Sequence, residues 1–99
     1  MGLDVSHDAY AGTYSSFHHL RLAVRDAADV TRRYDYDGLE LFLSHSDCDG
    51  NFSPAECTKV AESLRALLPA VDPYWQPRVL QFIHGAEKAA SCDEFLEFS

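Results

Sequence analysis

The segment Ser53-Pro54-Ala55-Glu56 constrains this chain more than any other, because it sets where a helix must begin. The Ser53 hydroxyl can accept from the backbone N–H of Glu56, and the Glu56 carboxylate can reach back to the N–H of Ser53. Pro54 then stands at the first helical position, where a missing donor costs nothing. Cys57, Val60, Ala61, Leu64, Leu67 and Leu68 follow on one apolar stripe, and Pro69 helps to end it.

The same periodicity predicts a helix from Ser15 or Ser16, with Phe17, Leu20, Val24, Ala27 and Ala28 on one side. It fades near Arg33, ahead of an Asp35-Tyr36-Asp37-Gly38 turn. A third helix is expected with Asp72 as cap and Pro73 as first residue, burying Trp75, Val79, Phe82, Ile83, Ala86 and Ala90. Ser91-Cys92-Asp93-Glu94 reads as a second capping box, opening a short terminal helix that docks Phe95, Leu96 and Phe98. Residues 39–43 are ambiguous. Leu39, Leu41 and Leu43 alternate like a strand, while Leu39, Phe42 and Leu43 also fit one helical face. The alternation tips the reading toward a strand, with residues 3–6 as its candidate partner.

Charge narrows the function classes. Eight Lys and Arg against sixteen Asp and Glu give a formal net charge of −8 over 99 residues, which repels phosphate backbones and anionic lipid. Direct nucleic-acid binding and membrane-surface binding are therefore not expected; cations or basic protein surfaces suit it better. No apolar stretch approaches the ~18–20 residues of a transmembrane helix. Residues 1–12 lack a signal-peptide layout, so the expected location is the cytoplasm. Three cysteines, Cys48, Cys57 and Cys92, are expected as reduced thiols.

Chemistry concentrates in residues 45–56, His-Ser-Asp-Cys-Asp-Gly-Asn-Phe-Ser-Pro-Ala-Glu. The segment resembles a calcium loop of the EF-hand type, with Asp47, Asp49, Gly50 and Glu56 at the third, fifth, sixth and twelfth places. Phe52 takes the apolar eighth place and Ser53 the ninth, while His45 holds the first place where an aspartate belongs. Alternating carboxylates on a tight turn converge, and a glutamate from the first helical turn can clamp a cation with both oxygens. The candidate ligands are His45, Asp47, Asp49, Asn51 and Glu56. The cation would be calcium, or a transition metal because the His45 imidazole is a softer donor. A metal-free Asx turn leading into the capped helix would use many of the same residues. The expected fold is a mainly α, single domain over residues 1–99. It is a bundle of three to four helices carrying an EF-hand-like loop, with room for a short two-stranded β ribbon.

Other constellations are weaker. An apolar strand followed by His-Ser-Asp-Cys-Asp-Gly also resembles the first metal motif of the DHH phosphoesterases, which implies a metal-dependent hydrolase using His45, Asp47 and Asp49. The chain has no Asp-His-His triplet and is too short for the two-domain cleft of those enzymes. His7, His45, Cys48 and Cys57 could form a tetrahedral zinc set, although their spacing matches no familiar zinc motif. Cys48 stands among carboxylates, which blunts a thiolate nucleophile. Tyr10, Tyr14 and Phe17 could line a ligand pocket, but packing of the first helix to its neighbours is the better account of them.

The blocks Met1-Gly2-Leu3-Asp4-Val5-Ser6-His7, Ala11-Gly12-Thr13-Tyr14-Ser15-Ser16-Phe17-His18 and Leu43-Ser44-His45-Ser46-Asp47-Cys48-Asp49-Gly50 resemble a family of small proteins, without a settled activity, encoded by bacteriophages and prophages. That resemblance implies an accessory binding protein in a bacterial host cell, of host-interaction or anti-defence type. Such a protein would block a host protein or sequester a small ligand; self-association stays open. Sequestering an anionic nucleotide would need a cationic pocket, for which Arg21, Arg25, Arg32 and Arg33 form the one cluster in the sequence. On this reading the chain is a binding protein rather than an enzyme, with the hydrolase as the alternative.

Overall fold

The computed structural model of the chain describes residues 2–32, 37–44 and 50–99. Strand β1 (Gly2–Val5) pairs antiparallel with β2 (Tyr10–Thr13), matching Val5 with Tyr10 and Gly2 with Thr13. The turn between them, closed by Ala9 N donating to Ser6 O at 3.2 Å, places His7 and Asp8 at φ 61° and 57°. Positive φ at both central residues matches the right-handed twist of a hairpin. Leu3 and Val5 point inward and Gly2 and Asp4 outward, the period of two that one buried face demands.

Helix α1 (Tyr14–Thr31) starts where Thr13 accepts from Ser16 N at 3.0 Å, and ends where Arg32 turns left-handed at φ 56°. It buries Phe17, Leu20, Ala23, Val24, Ala27 and Ala28, the predicted face. Helix α2 (Asp37–Ser44) covers the segment read as a strand, and this overturns that reading. The helical pair Leu39 and Phe42 is buried, whereas the strand set would also have sunk Leu41, which is only half-buried. The candidate partner of that strand, residues 3–6, pairs instead with β2. Asp37 and Gly38, expected in a turn, lie within α2, and Asp35 and Tyr36 lie outside the described residues.

Strand β3 (Asn51–Phe52) leads into helix α3 (Pro54–Leu67), whose stripe of Cys57, Val60, Ala61, Leu64 and Leu67 is buried as predicted. A single 3₁₀ turn, Leu68–Ala70, follows. Helix α4 (Gln76–Ser91) begins three residues later than the sequence suggested. Asp72 does organise the start, accepting from Tyr74 N at 2.9 Å through its side chain and from Trp75 N at 2.8 Å through its carbonyl. Pro77 has no N–H to donate to Pro73, so residues 73–75 remain turns.

The terminal helix predicted from the box at residues 91–94 is absent. Asp93 is left-handed at φ 55°, with Glu94 N donating to Ala89 O at 2.9 Å and Asp93 N to Ala90 O at 3.1 Å. Those two bonds terminate a helix in a Schellman motif rather than start one. The chain continues into strand β4 (Leu96–Glu97), which pairs antiparallel with β3. Leu96 and Phe98 are buried while Phe95 and Glu97 are exposed, a strand alternation. Phe98 also bridges to Val5, and Ser99 and Asp4 exchange backbone bonds of 2.8 and 2.9 Å, so the chain end joins the two ribbons.

Phe17 sits in the middle of the core. Its ring lies 4.9 Å from Tyr10, 6.0 Å from Phe42, 6.1 Å from Phe82 and 6.0 Å from Phe98. One ring thus touches the hairpin, α2, α4 and the C-terminal segment that follows β4. The described fold is mainly helical with two short antiparallel pairs, and none of its helices is long and apolar enough to cross a membrane.

Candidate functional site

The loop of residues 45–56 follows α2, which ends at Ser44, and its last three residues are the opening turn of α3, which begins at Pro54. His45, Asp47 and Asp49, with Ser46 and Cys48, fall outside the described residues. The second half of the loop is described in full. Gly50, at the sixth place, has φ 96°, a conformation that a Cβ would strain and that a sharp loop reversal needs. Its carbonyl accepts from Phe98 N at 2.9 Å.

Asn51 and Phe52 occupy the seventh and eighth places as β3, opposite Glu97 and Leu96. Phe52 is fully buried and meets Phe98 edge-on at 5.5 Å, so it anchors the loop to the core through its apolar place. Ser53 and Glu56, the ninth and twelfth places, form the expected capping box. Ser53 N donates to Glu56 Oε1 at 2.8 Å and Glu56 N donates to Ser53 Oγ at 3.2 Å. Glu56 is half-buried at the start of α3, with Oε1 committed to this bond. Ser53→Ala is expected to cost about 1 kcal/mol of stability, read in a urea titration, because it leaves the Glu56 N–H without its cap.

The remaining candidates separate. Cys57 is buried on α3 with its thiol 3.7 Å from Phe52 O. Burial pushes that thiol up and the Glu56 charge adds to the effect, against a lowering hydrogen bond from the Leu96 backbone. It is an inert core thiol by environment. His7 is held elsewhere, with Nδ1 2.8 Å from the Ser6 hydroxyl and Nε2 2.9 Å from Glu94 Oε1. His45 and Cys48 of the proposed zinc set lie outside the described residues. Among the described residues no group of three or more His, Cys, Asp or Glu side chains is placed to hold a metal ion. Tyr10 and Phe17 pack against each other in the core. Arg21 and Arg25 share a face of α1, Arg32 caps that helix, and Arg33 lies outside the described residues.

The Ser6–His7–Glu94 chain was not anticipated. Ser6 Oγ also accepts from Glu97 N at 2.9 Å, so the hairpin turn is stapled to the C-terminal strand. Its one local signal is the polar Ser-His-Asp triplet between two apolar strands, which marks a turn but not its distant partner.

Compared with protein-family models, with curated proteins and with solved structures, the chain matches none.

Proposed function

We propose that this chain is a non-enzymatic binding module in which residues 45–56 take up one divalent cation in an EF-hand-like loop. The observation that carries the reading is the frame of the second half-loop. A left-handed Gly50 stands at the sixth place, a two-residue strand at the seventh and eighth, and a capping box at the ninth to twelfth, with a helix on either side. A glycine at the sixth place and a glutamate at the twelfth are two of the features a twelve-residue calcium loop requires. Glu56 stands in the first turn of α3, the twelfth place of the loop, with Oε1 accepting from Ser53 N. His45, Asp47 and Asp49 would supply the remaining side-chain donors, Asn51 a further one, and the imidazole would favour a transition metal over calcium. The cation would supply charge neutralisation among the loop carboxylates. The chain's own work is to order the loop through the buried Phe52 and the β3–β4 pair.

The test is a thermal melt in chelator against calcium and against manganese, paired with elemental analysis. At ten times Kd an ion adds about 1.4 kcal/mol, roughly 5–10 °C for a domain this small. Glu56→Gln separates the two roles of that residue, because glutamine can still complete a capping box. Its melting in chelator should stay close to wild type while the response to the ion falls. Asp47→Ala with Asp49→Ala should abolish the response. A melting temperature indifferent to both ions, with no metal in the purified protein, would leave a capped turn and overturn the reading.

A further inference from the structure

We infer that the groove between α1 and the segment joining α3 to α4 is a docking site for a basic amphipathic helix of a partner protein. The groove measures about 480 Å³. Leu22, Ala23, Asp26, Ala27 and Val30 form its wall on α1, at the spacing of a single helical face. Ala70, Asp72 and Trp75 line it from the 3₁₀ turn and the approach to α4.

The exposed apolar groups of the molecule concentrate here. Among the described residues four large apolar side chains are exposed: Leu22, Val30, Tyr74 and Phe95. Leu22 and Val30, the latter 79% exposed, line the groove. The Tyr74 ring, 75% exposed, meets the Trp75 ring edge-on at 5.1 Å. Apolar groups scattered singly are ordinary, whereas three gathered at one concavity mark an interaction surface. The small side chains Ala23, Ala27 and Ala70 leave room between the walls for a partner's side chains. Apolar positions one turn apart on α1 suit a second helix, whose own apolar face repeats at the same period.

Charge selects the kind of helix. Asp26 stands one turn after Leu22 and one turn before Val30, exposed and, among the described residues, without an ion pair. Asp72 adds a second carboxylate, whose Oδ1 accepts from Tyr74 N at 2.9 Å and which keeps its charge in doing so. Among the described residues no lysine or arginine lines the groove, and the His19 imidazole donates through Nδ1 to Ser15 O at 2.8 Å. A lysine or arginine flanked by apolar side chains therefore complements this wall. A second copy of the chain fits it poorly, because it would bring its own carboxylates and a net charge of −8 to the same rim.

Trp75 is the one tryptophan of the chain and is half-buried at the groove, so its fluorescence reports on this site. The proposal needs no ion in the loop at residues 45–56, and chelator is present throughout the test. The probe is a synthetic leucine–lysine helix about three turns long, free of aromatic residues, with its leucines on one face. Titrated into the full chain, it should shift the Trp75 emission saturably to shorter wavelength, at one peptide per chain and more weakly as NaCl rises. Val30→Ser should weaken binding by about tenfold and Asp26→Asn by about threefold. Both variants should melt near wild type, because both residues are exposed. Phe95→Ala and Glu62→Gln, which remove an exposed ring and an exposed carboxylate outside the groove, should leave binding unchanged. An unmoved Trp75 emission, wild-type affinity in Val30→Ser, or equal weakening by Glu62→Gln and Asp26→Asn would each overturn the inference. So would a dimer in sedimentation that Val30→Ser dissociates, which would make a second copy the occupant.

Discussion

Gly38→Ala is expected to lower the melting temperature by about 10–20 °C. In an exposed helix that exchange adds stability, because alanine is the best helix former and glycine among the worst. Here the sign reverses. A Cβ at Gly38 would overlap the Lys59 carbonyl and come within 2.6 Å of Val60 N, backbone atoms of α3 that no side-chain rotation can move. The two helices touch through bare backbone at this point, and α3 would have to retreat. Overpacking costs typically 1–3 kcal/mol, and a rigid backbone obstacle argues for the upper half of that range. Each kcal/mol corresponds to roughly 4–8 °C in a domain of this size. Gly2→Ala is the control, since its Cβ would meet only Gly12 O at an ordinary 3.5 Å. Because α2 and α3 carry the two ends of the loop at residues 45–56, Gly38→Ala should also weaken any ion response. A melting temperature equal to or above wild type would show that the helices do not approach as described.

Phe17→Ala is the second large effect. The ring is wholly buried, and its neighbours Tyr10, Phe42, Phe82 and Phe98 come from four other parts of the fold. Truncating a phenylalanine in such a place costs about 3–5 kcal/mol, the lost transfer energy plus the cavity that remains. A chain of this length has roughly 5–15 kcal/mol in total, so the variant keeps a marginal fold at best. The check is a urea titration, in which the midpoint should fall by about 2 M with little change in slope. Phe95→Ala, which removes a ring 50% exposed, should move the midpoint little. A midpoint within experimental error of wild type would mean that the aromatic cluster does not hold the hairpin, α2, α4 and the C-terminal segment together.

Several features could be read from neighbouring residues. The box at Ser53 and Glu56 closes within one helical turn, and the stripe from Cys57 to Leu67 repeats at the helical period, so both were legible. The face of α1 from Phe17 to Ala28 was legible for the same reason. Two of the misreadings turn on partners distant in the chain. Residues 39–43 span too little chain to separate periods of two and 3.6, and the helix won because α3 offers a backbone close enough to receive Gly38. Ser91 and Glu94 have the spacing of a box, yet Ser91 Oγ donates to Lys88 O and Glu94 holds His7 instead. The alternation of Leu96 and Phe98 was the better guide there, and it takes effect only once β3 is available to pair.

Within the candidate loop the sequence pattern proposed ligands, and the described half bears on its backbone. Gly50 and the capping box follow from local chemistry, while the burial of Phe52 depends on Phe98, a residue on the far side of α3 and α4 in the chain. The groove on α1 divides in the same way. The shared face of Leu22, Asp26 and Val30 follows from the helical period of α1, but Ala70, Asp72 and Trp75 reach the groove from beyond α3 in the chain.

Hydrogen bonds that close over three or four residues, and apolar side chains repeating once per turn, made α1, α3 and the cap of α3 inevitable in the chain itself. The helical state of α2, the pairing of β3 with β4 and the stapling of the hairpin to the last residues rest on partners far apart in the chain. Such contacts must offset the entropy of closing long loops with buried area such as that around Phe17, and no local pattern encodes them.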